Sequence, residues 1–158
     1  MYKNLSIAVL LLALLAPRVA CAADVASYVE PRITHAHYGE VRIVVPITSD
    51  DPKIWQQKLR NMGNALEAAG KWDGQVTIRV VLYGRGVRLL MDPAPEVAQA
   101  LTELRARGVS LLVCNNTLRE ANIDFHGLFH VSDADVVPSG FLEVAWLASQ
   151  GYSVDPVN

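Results

Sequence analysis

Cys114 is the residue of this chain best placed for chemistry. It closes the apolar run Val109-Ser110-Leu111-Leu112-Val113 and precedes Asn115-Asn116-Thr117, a helix-start signal. The only other cysteine, Cys21, lies in a segment that reads as a removable leader. A lone thiol makes no intramolecular disulfide, which leaves a buried filler, an intermolecular link or reactive sulfur chemistry. We take the last as the working expectation. A thiol becomes a good nucleophile when a helix N-terminus or a nearby cation stabilises its thiolate. Thr117-Leu118-Arg119-Glu120 has the S/T-x-x-E form of a capping box, which predicts unpaired backbone N–H groups close to the sulfur. Asn115, Asn116 and Thr117 are therefore candidate donors to an anionic sulfur. Arg85, with Arg88 and Arg119 on the same edge, is a candidate cation. The competing reading makes Cys114 a small core hydrophobe and the arginines solvated loop residues.

Strand and helix patterns alternate from Val41 onward. Val41–Ile47 is rich in β-branched residues and reads as a largely buried strand. Asp51-Pro52 supplies an N-cap and a first-turn proline, and Trp55, Leu59, Met62 and Leu66 follow at helical spacing to a stop at Gly70. Val76–Leu82 is a second strand, ended by Tyr83-Gly84-Arg85-Gly86. A helix over 95–107 buries Val97, Leu101 and Leu104, and the third strand runs into Cys114. Residues 133–137 suggest a fourth strand, Ser139 caps a helix through Ala148, and residues 151–154 form a short fifth strand. The prediction is a three-layer α/β sandwich around a mostly parallel five-stranded sheet. In such sheets, sites form beyond the carboxyl ends of the strands. Three loops meet that condition: 48–50, 83–88 and 114–117. Cys114 falls on the functional edge by topology alone.

Met1-Tyr2-Lys3-Asn4, the apolar stretch Leu5–Ala16 and Ala20-Cys21-Ala22 have the three-part form of a secretory signal. The stretch falls short of the ~20 residues that span a bilayer. The expected organisation is a signal peptide over 1–22, an N-terminal arm over 23–40 and one α/β domain over 41–158. The mature protein is expected to be soluble in a bacterial periplasm. Lipidation at Cys21 is the alternative, and Arg18 stands where such sites carry Leu. Cleavage removes Lys3 and Arg18 and no acid, so the basic residues fall from 14 to 12 against 16 acidic ones. With no basic run, nucleic acid is excluded as a partner class.

Other motifs carry less. His35 with His37, and His126 with His130, pair by spacing, but Gly127 weakens the second pair's helix and nothing joins the two; no metal is expected. Gly84-Arg85-Gly86 lacks the third glycine of a dinucleotide fingerprint, and no hydrolase elbow, zinc pair or P-loop occurs. No cofactor is implied. Residues 141–148, Phe-Leu-Glu-Val-Ala-Trp-Leu-Ala, are apolar almost all round. Either this helix lies deep in one domain, or Phe141, Trp146 or Leu147 faces a neighbouring subunit. Trp55 reads as core and Trp72 as the end of a helix-to-strand loop.

The stretch Val109–Leu118, then Val136-Val137-Pro138-Ser139-Gly140 and Leu147-Ala148-Ser149-Gln150-Gly151-Tyr152, resembles the DsrE/DsrF-like family, as does Leu82-Tyr83-Gly84-Arg85-Gly86-Val87. The similarity runs over roughly 41–154. It implies a DsrE-like parallel-sheet domain that assembles into trimers or hexamers. In the family's sulfur-relay members it implies a cysteine that carries sulfur as a persulfide between donor and acceptor proteins, and Cys114 matches that position. Unlike the cytoplasmic, hetero-oligomeric relay proteins, this chain reads as exported. The alternative function is a non-catalytic oligomeric or small-ligand-binding module with an incidental cysteine.

Overall fold

The computed structural model describes residues 28–156, so the expected signal peptide lies outside the described residues. The chain divides after Arg32 into two units. Of the first, residues 28–32 have no regular secondary structure and are exposed. The second carries all the elements that follow.

Its sheet is five-stranded and parallel throughout, in the order β4-β3-β2-β1-β5. The strands are β1 (Gly39–Ile47), β2 (Gly74–Leu82), β3 (Ser110–Cys114), β4 (Val136–Val137) and β5 (Ser153–Val154). The helices are α1 (Pro52–Lys71), α2 (Pro95–Ala106), α3 (Asn115–Ala121) and α4 (Gly140–Ser149). Crossovers between parallel strands are right-handed. The chain steps from β1 to β4 in one direction, so α1 and α2 share a face. It then returns past β1 to add β5, so α4 falls on the opposite face.

Strand alternation splits the core accordingly. Val45, Ile47, Ile78, Val80, Leu82, Leu111 and Val113 face α1 and α2, where they meet Leu59, Met62, Leu101 and Leu104. Val44, Val81 and Leu112 face α4 and pack on Leu147. Each fully buried leucine or isoleucine contributes about 1.5–3 kcal/mol, so the face under α1 and α2 supplies most of the stability.

Local signals explain the helix ends. The Asp51 side chain accepts from the Lys53 N–H with Pro52 in the first turn. The Ser139 hydroxyl accepts from the Leu142 N–H at the start of α4. Trp72 caps α1, and Trp55 packs on the core and donates its indole N–H to the Ser49 carbonyl, 2.7 Å.

Three local expectations differ. β1 starts at Gly39, inside the segment assigned to an N-terminal arm, because Gly39 and Glu40 pair with Gly74 and Gln75 of β2. Residues 133–135 form a 3-10 turn rather than strand, since Ser132 and Asp135 close a capping box on each other. The loop expected over 83–88 is mostly a 3-10 helix, Gly84–Leu90.

That 3-10 helix is clamped on the end of β1. A Cβ at Gly86 would lie 1.9 Å from the Ile47 carbonyl oxygen, which also accepts the Tyr83 N–H. Both contacts are backbone, so neither yields cheaply. Gly86→Ala is expected to cost about 3 kcal/mol, read as a lower urea midpoint with unchanged slope. An unshifted midpoint would show that the clamp relaxes freely.

Candidate functional site

Cys114 ends β3 and is the N-cap of α3, 5% exposed. Strand alternation turns it to the α4 face, and the chain beyond β4 brings the start of α4 onto it. A Cβ at Gly140 would sit 3.1 Å from the Cys114 Cβ and 2.9 Å from the Tyr83 Cβ. Only a residue without a side chain lets the first turn of α4 come this close.

Burial is the largest single influence on the Cys114 thiol and pushes its pKa up. The backbone N–H groups of Gly140, Thr117 and Asn116, together with the Thr117 hydroxyl, act against it and leave the thiol below its ordinary value. No closed side-chain cap hydrogen bond holds the neutral thiol; the donors serve the anion, which attracts them more strongly. Thr117 is well suited to this. Its oxygen accepts the Gly84 N–H at 2.9 Å, leaving its own proton to donate to sulfur. Tyr83 shares the site and is pushed up, first by burial and then by the charge of Cys114.

The expected capping box at Thr117–Glu120 is not the helix start. α3 begins at Asn115 with Cys114 as its cap, because the Thr117 side chain is engaged by the Gly84 N–H. Asn116 reaches the sulfur through its backbone alone. Asn115 instead borders two hollows beside Phe125, of about 430 and 360 Å³. Arg85 is 73% exposed and turns to Asp50 at 3.6 Å, where Arg88 also binds at 3.2 Å. The thiolate is therefore stabilised by dipoles, and no arginine contributes to its shift.

Gly140 and Tyr83 are the site residues that sequence reasoning left out. Tyr83 lay in a loop already assigned to the functional edge. Gly140 was within reach of the same rule, since the turn after β4 also leaves the sheet at its carboxyl edge.

The histidines stay apart from this site. The His126 imidazole meets Asp124 at 2.7 Å and stacks on Phe125, holding the Asp124 carboxyl below its usual range; His130 faces Thr102. Among the described residues, no three His, Cys, Asp or Glu side chains cluster to hold a metal. None of the described helices is long and apolar enough to cross a membrane.

The α4 face beside the thiol is apolar and open. Leu147 is buried against the sheet, whereas Phe141, Leu142 and Trp146 are 76%, 66% and 53% exposed. A groove of about 590 Å³ follows the helix between Pro138 and Trp146, with Arg79 in its wall. Of the three residues considered for an interface, Leu147 belongs to the chain's own core.

The donor set makes a test of its own. Thr117→Val removes the hydroxyl and keeps the N–H groups, so the thiolate loses one stabilising partner. The pH midpoint for alkylation by iodoacetamide should rise, because the reactive thiolate then forms only at higher pH. Gly140→Ala, which pushes α4 off the sulfur, should move it the same way. An unchanged midpoint in both would mean that these donors do not act on the sulfur.

The DsrE/DsrF-like family model matches residues 47–154. Among solved structures, MTH1491 from Methanobacterium thermoautotrophicum, described as a protein of unknown function, is similar at 28% identity. The alignment covers 75% of this chain and 99% of that one, with a TM-score of 0.64. No curated protein matches the chain.

Proposed function

Since this chain belongs to the DsrE/DsrF-like family, we propose that it carries sulfur as a persulfide on Cys114. The observation that carries this reading is the placing of a buried thiol at the start of α3 and against the first turn of α4, beside the backbone N–H groups of Gly140, Thr117 and Asn116. Burial alone makes a thiol inert. A cysteine that merely filled space would have no need of donors from Gly140, Thr117 and Asn116.

The chemistry is an exchange between sulfurs. The Cys114 thiolate attacks the terminal sulfur of a donor persulfide. One S–S bond forms on Cys114 as the donor's S–S bond breaks, and the electron pair leaves with the donor thiolate. An acceptor thiolate then attacks the terminal sulfur on Cys114, and the Cys114 thiolate departs. No net oxidation occurs, and no cofactor is required. The donors that favour the Cys114 thiolate also make it a good leaving group, so they assist both halves of the relay. At 5% exposure the sulfur is shielded from bulky thiols, which favours donors that present sulfur on a narrow arm. The experiment is sulfur loading of the mature protein with polysulfide, followed by intact mass.

We place this activity in an exported, periplasmic protein after signal cleavage, in keeping with the leader-like residues 1–22. A second reading, an assembly module in which Cys114 is incidental, is favoured by the exposed Phe141, Leu142 and Trp146. The two readings agree on one point: the α4 face is the contact between subunits of a homo-oligomer, a trimer or hexamer.

A further inference from the structure

On the opposite face of the sheet from Cys114, Lys58 of α1 is the buried charged side chain among the described residues, 5% exposed. Burying an ammonium is costly unless counter-charge meets it. The carboxylate of Asp155 and the carbonyl of Pro156 do so. Both follow directly on the short strand β5. β5 pairs with β1 only at Ile43 and Val44, and the Asp155 N–H donates to the Val44 carbonyl at 2.9 Å.

Beside this ion pair lies a cavity of about 200 Å³. Ile43, Val45 and Ile78 of the sheet and Met62 and Ala65 of α1 line it, and Lys58, Asp155 and Asn61 are its polar lining residues. It opens to solvent between α1 and the sheet, so a small molecule can enter it. The cavity is apolar along Ile43, Val45, Met62 and Ile78, carries one neutral polar residue, Asn61, and reaches the buried Lys58 cation. A molecule of the reverse pattern, a short alkyl chain ending in a carboxylate, is its complement. At about 30 Å³ per water-sized group, the space takes roughly six or seven non-hydrogen atoms, the size of butyrate or valerate.

We propose that this cavity binds a short-chain monocarboxylate, with its carboxylate on the Lys58 ammonium in place of that of Asp155 and its alkyl chain against Met62 and Ile78. The exchange leaves charge at Lys58 balanced, because one carboxylate replaces another. Asp155 is the displaceable internal ligand, its side chain already 35% exposed. On release it turns to water, loosening the short β5 pairing. The inference is independent of the chemistry assigned to Cys114.

Valerate titrated into the mature protein, followed by calorimetry, tests it. Saturable binding is expected, about tenfold tighter in Asp155→Asn, which removes the competing charge and keeps a side-chain oxygen near Lys58. Ala65→Leu fills the cavity and leaves both charges in place, so it should abolish binding. Pentylamine, of similar shape and opposite charge, should not bind. Absence of binding to Asp155→Asn overturns the proposal, as does equal binding by Ala65→Leu or equal binding of pentylamine.

Discussion

Replacing Cys114 with Ser should abolish sulfur loading outright. Incubated with polysulfide, the mature wild-type protein is expected to gain about 32 Da for each sulfur acquired, lost again on treatment with a reductant. The Cys114→Ser variant should gain nothing. The substitution changes one atom and keeps the size of the side chain, so the packing of Tyr83 and Gly140 on position 114 survives. It also removes the one thiol sulfur among the described residues, the atom that forms the S–S bond. A hydroxyl in the same ring of donors titrates far above neutrality and does not substitute as nucleophile. In protein that starts at Ala23, and so lacks Cys21, no second thiol confuses the reading. Equal mass gain in the variant would remove Cys114 from the chemistry. An unreactive wild type with an intact fold would leave the assembly reading standing. Loading by small polysulfide and not by a bulky aromatic disulfide would further tie access to the 5% exposure of the thiol.

The layers of this fold were legible because β1, β2 and β3 end in apolar, largely buried runs and α1 and α4 start on side-chain caps. Asp51, Pro52 and Ser139 act where their types predict. The edge of the site was legible too, since the carboxyl-end rule needs only the order of elements. Its interior was not. Gly140 stands 26 positions from Cys114 in sequence, and its contact arises when the return of the chain past β1 sends α4 across the other face. The arginines show the opposite failure. Sequence proximity to the functional edge suggested a cation for the thiolate, but Asp50 lies nearer to Arg85 and Arg88 and takes both. Thr117 resembled a cap because its type and spacing fit one. The Gly84 N–H, donated from a different loop, claimed its oxygen. Local patterns thus predicted the elements well, while long-range competition for each polar atom decided the site.

Among the described helices the same topology leaves α4 alone on its face, and that isolation predicts the largest effect on assembly. A single ten-residue helix buries Leu147 inward and presents Phe141, Leu142 and Trp146 outward. Exposed aromatic and aliphatic side chains grouped on one helix mark a protein interface more often than a solvated surface. With α4 as the subunit contact, the wild type is expected to sediment as a trimer or hexamer at micromolar concentration and the Phe141→Asp, Trp146→Asp double variant as a monomer. Each large apolar side chain covered in a contact contributes about 1.5–3 kcal/mol. Losing two weakens association by about two to four powers of ten, and unpaired carboxylates left in a buried contact weaken it further. Neither residue belongs to the core beneath α4, so the circular dichroism spectrum and unfolding midpoint should stay close to those of the wild type. A wild type that sediments as a monomer, or a double variant that keeps the wild-type mass, would overturn the α4 interface. Sulfur loading measured on the same monomer then separates the two roles of α4. If Gly140 alone serves the thiol, loading persists without the oligomer; if the neighbouring subunit completes the site, both are lost together.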